Sequence, residues 1–240
     1  MLELRELVKH YPAVGGDPVR AVDGVSLKVE AGEMVALYGP SGSGKTTLLL
    51  MVATLLAPTA GTVLIGGRDI SSLSEREASN FRLSELGFIR QNFDLLPGVS
   101  AIDNTVLKLL KAMRWREAQR QVTPLLERLG MGERLHHRAE TLSMGERQRV
   151  MIARALSTEP SMLLADEPTG SLDTQRGREV LELLRGLCRE RGVAVVLVSH
   201  DPMAAEYADR VLALRDGQLS DYQSDRGAAA PERSMVANGG

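Results

Sequence analysis

The chain begins with alternating apolar and charged positions. Leucines are interleaved with charged residues over 2–7, and apolar positions with a period near two return between Val22 and Val29. This alternation predicts strands with one buried face. A further hairpin is predicted over 61–69, because the pair Gly66-Gly67 can form its turn. The first part of the chain therefore predicts short strands of a small antiparallel sheet.

A continuous apolar run at 34–38 breaks this alternation and leads into a glycine-rich stretch at 39–44. Apolar residues then dominate 45–56, which predicts a buried helix. A buried strand, a glycine loop and a buried helix in this order are typical of the start of a parallel α/β unit.

Three later apolar runs, at 163–166, 193–199 and 211–214, have the same character. A helical pattern at 174–191 separates the first two. Strands that are apolar throughout are typical of parallel sheets with both faces covered. We therefore expect an α/β fold with a mainly parallel sheet.

The segment 74–157 between these runs has a mostly helical pattern. Its clearest helix is predicted at 115–129, where one face is apolar and Pro124 should kink or restart the helix. From about residue 220 the chain is rich in Gly, Ala, Ser and charge without any period, so we expect 221–240 to be a flexible tail.

Composition narrows the classes of function. The 240 residues carry 29 basic and 31 acidic side chains, and only 3% of them are aromatic. A near-neutral, aromatic-poor chain disfavours a nucleic-acid partner. No apolar run reaches the ~18 residues of a membrane helix, and the first residues lack the pattern of a secretory signal. The single cysteine, Cys188, cannot form an internal disulfide, which fits a reducing cytosol.

The glycine-rich stretch carries the strongest chemical signal, because residues 39–46 match the pattern G-x-x-x-x-G-K-[ST]. Glycines let backbone N–H groups surround a phosphate, the lysine reaches the β/γ oxygens and the Thr46 hydroxyl can bind Mg²⁺. About 0.005 chance matches are expected in a chain of this composition, so a mere glycine-rich turn is a weak alternative. The predicted phosphate-binding residues are Gly39, Pro40, Ser41, Gly42, Ser43, Gly44, Lys45, Thr46 and Thr47.

Two carboxylates, Asp166 and Glu167, end the second buried strand. Asp166 is placed to hold Mg²⁺, and Glu167 is free to orient or deprotonate a water molecule. An apolar run followed by Asp-Glu could by itself be a strand that ends in a solvated turn. The phosphate motif upstream favours the functional interpretation.

The segment 142–149, Leu-Ser-Met-Gly-Glu-Arg-Gln-Arg, resembles the signature of the ATP-binding cassette (ABC) ATPases, usually Leu-Ser-Gly-Gly-Gln. The resemblance covers residues 1 to about 220 as one domain and implies a P-loop core with an inserted helical subdomain at about 90–157. It also implies that Ser143, Gly145 and Glu146 cap the γ-phosphate on a second subunit. Ser143 and Glu146 could instead form a capping box that starts a helix, and this structural role is compatible with the functional one. Met144 departs from the usual glycine, and we expect it to adopt a negative φ.

Further residues correspond to family elements by their order in the chain. Tyr11 resembles the aromatic that stacks on adenine, although a strand-end tyrosine in the core is an alternative. Gln91 resembles the glutamine that contacts Mg²⁺ and the attacking water. The segment Ser171-Leu-Asp173 resembles the loop that crosses the dimer interface. His200 resembles the switch histidine that contacts the γ-phosphate, although it could simply cap a strand end. No role is expected for His136, His137 or Cys188.

The resemblance implies an ATPase that binds ATP and Mg²⁺, the metal being held by Thr46, Gln91 and Asp166. It implies a head-to-tail homodimer, a membrane permease as partner and a place at the cytoplasmic face of the membrane. The segment 87–104 resembles the branch of macrolide export, lipoprotein release and cell division. A soluble cassette of repair or translation, a cell-division regulator of cell-wall hydrolysis and a cassette that binds ATP without hydrolysing it remain alternatives.

Overall fold

The computed structural model describes residues 1–13, 16–91, 94–170 and 172–222. Ser171 and the predicted tail from residue 223 onward lie outside the described residues. The strands are β1 (Leu2–Tyr11), β2 (Val19–Val29), β3 (Met34–Tyr38), β4 (Ala60–Ile65), β5 (Arg68–Asp69), β6 (Leu86–Ile89), β7 (Met162–Asp166), β8 (Ala194–Ser199), β9 (Arg210–Arg215) and β10 (Gln218–Asp221). The α-helices are α1 (Lys45–Val52), α2 (Glu75–Ser84), α3 (Ala101–Val106), α4 (Trp115–Arg128), α5 (Met144–Leu156), α6 (Thr174–Arg191) and α7 (Met203–Tyr207).

The larger of two sheets has the strand order β10-β9-β3-β8-β7-β6. All neighbouring strands in it are parallel except β10, which pairs antiparallel with β9. The smaller sheet, in the order β2-β1-β4-β5, is antiparallel. The predicted fold class, a mainly parallel α/β sheet with a small antiparallel sheet, is confirmed.

Two apolar clusters cover opposite faces of the parallel sheet. In β7, Leu163 and Ala165 join the cluster formed with α3, α4, α5 and α6, whereas Met162 and Leu164 join the cluster formed with α1 and the antiparallel sheet. Successive side chains of a strand point to opposite faces, so a strand covered on both sides must be apolar throughout. This explains the continuous apolar runs in the sequence.

Some predicted elements differ from the structure. Helix α1 ends at Val52 instead of residue 56, because Thr54 adopts a φ of 54° that a helix cannot continue through. Strand β6 lies inside the segment predicted as mostly helical; with four residues it is too short for its period to show. Ser220 and Asp221, predicted to begin the flexible segment, pair in β10.

Pro124, predicted to kink or restart its helix, does not restart it: α4 is continuous from Trp115 to Arg128. The proline is exposed, so water can bond the carbonyl that lacks its helical partner. Val122, Leu125 and Leu126 of the same helix are buried and hold it in place. Among the described helices, none combines the length and apolar character needed to cross a membrane.

The glycine loop between β3 and α1 is held close to β2. Gly44 precedes α1 with a φ of 99°, and a Cβ at this position would run into the backbone carbonyl of Ala21 in β2. Gly42 has a φ of 82°, but a Cβ there would meet no atom within 4 Å. Gly44 is thus required by both conformation and space, and Gly42 by conformation alone.

This difference predicts unequal effects of adding one methyl group. Gly42→Ala should lower the free energy of unfolding by about 1–2 kcal/mol, the cost of a left-handed backbone in an L residue. Gly44→Ala adds a backbone clash and should cost about 2–5 kcal/mol. Urea unfolding of both variants measures the difference. Equal midpoints would show that the loop is not held against β2.

Candidate active site

A cavity of about 480 Å³ lies where the parallel strands β3, β7 and β8 end. Loops at the carboxyl ends of such strands are the usual place for ligands in α/β sheets. The fold therefore gathers residues that are far apart in the chain. The cavity is lined by Ala21, Ser41, Gly42, Gly44, Lys45, Thr46, Thr47, Gln91, Asp166, Glu167 and His200.

Lys45, the first residue of α1, is buried and points its ammonium at main-chain oxygens of the loop. Its Nζ donates to the carbonyl oxygens of Gly39 at 2.7 Å and Pro40 at 2.8 Å, and lies 3.5 Å from Ser43 Oγ. Burial lowers the pKa of Lys45, while the charges of Glu167 and Asp166 oppose this shift. Among the described residues, no carboxylate oxygen lies within 4 Å of this ammonium, which suits it to receive an oxyanion from a ligand.

Asp166 ends β7 beside Thr46, the second residue of α1. Thr46 Oγ1 donates to Asp166 Oδ1 at 3.4 Å. Burial raises the pKa of Asp166, and the hydrogen bond from Thr46 partly offsets the effect. Gln91 lines the same cavity. Thr46, Asp166 and Gln91 thus supply a hydroxyl, a carboxylate and an amide oxygen, the kinds of ligand that Mg²⁺ prefers. The three residues predicted as metal ligands therefore fit the ion.

Glu167 is held by three contacts from the end of β8. His200 Nδ1 lies 2.8 Å from Oε1, while the Ser199 hydroxyl and the His200 backbone N–H donate to Oε2 at 3.2 and 3.4 Å. Glu167 itself has a φ of 50°, a conformation that costs a non-glycine residue about 1–3 kcal/mol. The carboxylate is thus fixed at the cavity wall in a strained backbone.

Sequence reasoning missed two residues of this site. Ser199 bonds the carboxylate of Glu167, and its position directly before His200 at a strand end was the available signal. Ala21 lines the cavity from β2, a strand of the other sheet. An alanine carries no chemical pattern, so nothing in the sequence marks it.

Eight residues predicted to contact nucleotide do not line this cavity: Gly39, Pro40 and Ser43 of the loop, whose oxygens lie near Lys45 Nζ, and five from other parts of the chain. Tyr11 ends β1 with 38% of its surface exposed, and Lys9 Nζ lies 5.5 Å from the centre of its ring. Asp173 precedes α6 and accepts a hydrogen bond from the backbone N–H of Arg176 at 3.0 Å. The other three, at the start of α5, are Ser143, Gly145 and Glu146.

The start of α5 forms the predicted capping box. Ser143 Oγ accepts from the Glu146 backbone N–H at 3.3 Å, and Glu146 accepts from the Ser143 backbone N–H at 2.8 Å. These contacts, helped by Arg134, lower the pKa of Glu146. Met144 is exposed, belongs to the helix and has no positive φ, as expected. The substitution for glycine therefore imposes no backbone strain.

The three residues for which no role is expected stand apart from the cavity. His136 and His137 are exposed, and Cys188 is buried in α6. Burial raises the pKa of the Cys188 thiol to about 11, so it is not a reactive thiolate at neutral pH.

Known proteins provide an independent comparison. The family model described as "ABC transporter" matches residues 22–170. A macrolide export ATP-binding/permease protein MacB of Rhodopirellula baltica is 45% identical over 99% of this chain, and a lipoprotein-releasing system ATP-binding protein LolD 2 of Caulobacter vibrioides is 47% identical over 91% of it. The alignment spans 35% of the length of the MacB relative and 96% of the LolD relative.

A solved structure agrees with these matches. It is a dimeric, post-hydrolysis state of an ATP-binding cassette bound to ADP and Pi, and it is 35% identical to this chain. The alignment covers 93% of this chain and 100% of the solved chain, with a TM-score of 0.81. The fold, the motifs and the relatives lead to one conclusion: the chain belongs to the ABC transporter family and is an ATP-binding cassette ATPase.

Proposed function

We propose that this cassette hydrolyses ATP with Glu167 as the general base, and that two copies drive a membrane permease. The observation that carries the catalytic assignment is the fixed carboxylate of Glu167, bonded to Ser199 and His200 and facing the cavity that Lys45 lines. A carboxylate held in this way can orient a water molecule and take its proton without first reorganising.

The phosphates of ATP would take the place of the loop carbonyls beside Lys45. Lys45 Nζ then exchanges its bonds to the neutral carbonyl oxygens of Gly39 and Pro40 for bonds to phosphate oxygens, which are stronger because both partners are charged. The N–H groups at the start of α1 add the positive end of the helix dipole. Thr46, Gln91 and Asp166 would hold Mg²⁺, which neutralises developing charge on the phosphates when it is bound.

The attacking water would lie between Glu167, Gln91 and His200. Glu167 accepts the proton, and its contact with His200 Nδ1 at 2.8 Å keeps the carboxylate aimed into the cavity. His200 is largely exposed at the mouth of the cavity, where a γ-phosphate can reach it. We assign Tyr11 to the adenine, as an exposed ring at the end of β1.

The position of the signature residues supports a dimer. Ser143, Gly145, Glu146 and Asp173 begin α5 and α6 outside the cavity of their own chain. The N-terminus of α5 presents N–H groups that favour an anion. In a head-to-tail pair each copy would close the site of the other, so one chain alone is catalytically incomplete. The dimeric state of the solved relative agrees with this arrangement.

A permease partner is supported by the names of the relatives, which belong to macrolide export and lipoprotein release. We therefore place the chain at the cytoplasmic face of a membrane, as a motor for lipoprotein release, efflux or force transmission, with no nucleic-acid partner. A cell-division regulator of the same branch and a soluble cassette are the alternatives. The set of Lys45, Asp166, Glu167 and His200 in one cavity disfavours a cassette that only binds ATP.

Glu167→Gln should bind ATP but hydrolyse it about 10²–10⁴-fold more slowly, because the amide cannot take a proton. Bound ATP should then accumulate and hold two copies together. Steady-state phosphate release and sedimentation with and without ATP measure both effects. Glu159→Gln is the control, since Glu159 is an exposed glutamate with a similar φ of 50°. Turnover of Glu167→Gln at the parental rate would contradict the base assignment.

The tagged chain, isolated from solubilised membranes of its own organism, should recover a protein with several membrane spans. A permease buries part of the cassette surface, so the pair should survive gel filtration. The untagged chain serves as control, and mass spectrometry identifies the partner. Recovery of ribosomes or DNA in place of a membrane protein would favour the soluble alternative.

A further inference from the structure

A cluster of basic side chains surrounds the chain's one tryptophan at the start of α4. A 3₁₀ turn at Leu109–Lys111 leads toward this helix, and Arg114 is the N-cap of the helix. Residues 108–121 carry five basic side chains and one acidic one, although the whole chain is nearly neutral. The four of these cations that are exposed, together called the α4 patch, are Lys111, Arg114, Arg116 and Arg120.

The fold does not neutralise the charges of the α4 patch. Lys111 donates to the side-chain oxygen of Asn80, a neutral acceptor. Within the part of the chain that the structure describes, no carboxylate oxygen lies within 4 Å of a side-chain nitrogen of the four cations. Glu117, the acidic residue of the segment, offsets one of the four charges at most. The patch therefore presents net positive charge to its surroundings.

Lys108, the fifth cation of the segment, is directed into the protein. Its Nζ donates to the Leu86 carbonyl oxygen at 2.7 Å and to Thr158 Oγ1 at 3.4 Å. Burial, with a contribution from the charge of Arg154, lowers the pKa of Lys108 to about 8. One cation thus serves the interior, and the other four face solvent or a partner.

Trp115 gives the α4 patch an apolar centre. It is the first residue of α4, and 43% of its surface is exposed. Leu110 and Met113, which precede it, are half-buried. The helix is held in the domain by fully buried residues such as Ala118 and Val122, so the exposed part of the indole is free to contact a partner.

A membrane surface with anionic lipids fits both the charge and the tryptophan. Lys and Arg are attracted to negative headgroups, and the indole settles at headgroup level because it is apolar and carries one N–H donor. Nucleic acid fits less well, because binding to single strands uses several aromatic side chains for stacking and the patch has one. An acidic protein segment would match the charges, but the proposed function already brings a lipid surface to the chain.

We propose that the α4 patch binds anionic lipid headgroups of the membrane beside the permease, with Trp115 entering the headgroup region. The inference rests on the proposed function, because the permease brings the chain to a membrane, and it adds a contact with the lipid itself. Helix α4 buries its apolar face in its own domain, so it cannot lie in the bilayer as an interfacial helix does. The contact is therefore shallow and electrostatic, and it would orient the cassette at the membrane without anchoring it alone.

The single tryptophan makes this contact measurable in the pure chain, because its fluorescence reports the α4 patch alone. With vesicles of equal parts phosphatidylglycerol and phosphatidylcholine, the emission should shift to shorter wavelength as the indole leaves water, and the chain should sediment with the vesicles. Vesicles of phosphatidylcholine alone should give neither effect. Added salt should release the chain, since the Debye length falls from about 10 Å at 0.1 M to about 3 Å at 1 M.

Arg116→Gln combined with Arg120→Gln should weaken vesicle binding about 25-fold, because each basic side chain near an anionic surface contributes about fivefold in affinity. The matched control combines Arg178→Gln with Arg191→Gln, which removes the same charge from two exposed arginines of α6. A vesicle titration measures both double variants, and basal ATPase activity within twofold of the parent shows that each is folded. Equal weakening by the two would show that net charge attracts the lipid, and would overturn the role of the patch.

Other outcomes separate this proposal from the proposed function. Unchanged emission with anionic vesicles, or an equal shift with neutral ones, would overturn the lipid contact. A shift with duplex DNA but not with vesicles would assign the patch to nucleic acid and also overturn it. A parent that recovers the permease but binds no vesicles, with an Arg116/Arg120 variant that loses the permease, would assign the patch to an acidic protein segment. Vesicle binding by a parent that recovers no membrane protein would refute the proposed function and leave the lipid contact standing.

Discussion

Burial of the parallel strands on both faces is the constraint on which the site depends. Strands β3, β7 and β8 are apolar along their length, so polar groups can appear only where the strands end. The register of the sheet brings those ends together, which places Asp166 beside Thr46 and Glu167 beside His200. The catalytic arrangement is therefore a consequence of how the core is covered.

Sequence reasoning succeeded where a motif is contiguous and attached to a buried strand. Residues 39–46, Asp166, Glu167 and His200 could be predicted in this way, and the structure brings Ser41, Gly42, Gly44, Lys45 and Thr46 into one cavity with the two carboxylates and the histidine. The contact of Ser199 with Glu167 was missed although Ser199 directly precedes His200 at a strand end, because that position does not by itself name the partner of the hydroxyl. Strand β6 was missed since four residues in a helical segment carry no readable period.

Among the described residues, Lys45 and Lys108 are two cations that have no carboxylate within 4 Å, and their surroundings differ. Lys45 lies among glycines, where backbone groups can approach a polyphosphate closely. Lys108 lies against apolar side chains with Arg82 and Arg154, which come from distant parts of the chain, so no sequence pattern announces them.

The solitary cysteine also has a practical meaning. Cys188 is buried in α6, and the high pKa of its thiol leaves almost no thiolate at neutral pH. The folded chain is therefore a nearly silent background for thiol-directed probes. Cysteines introduced at exposed positions such as Ser41 and Ser143 would react selectively, and a spectroscopic ruler between them could follow two cassettes as they approach and separate.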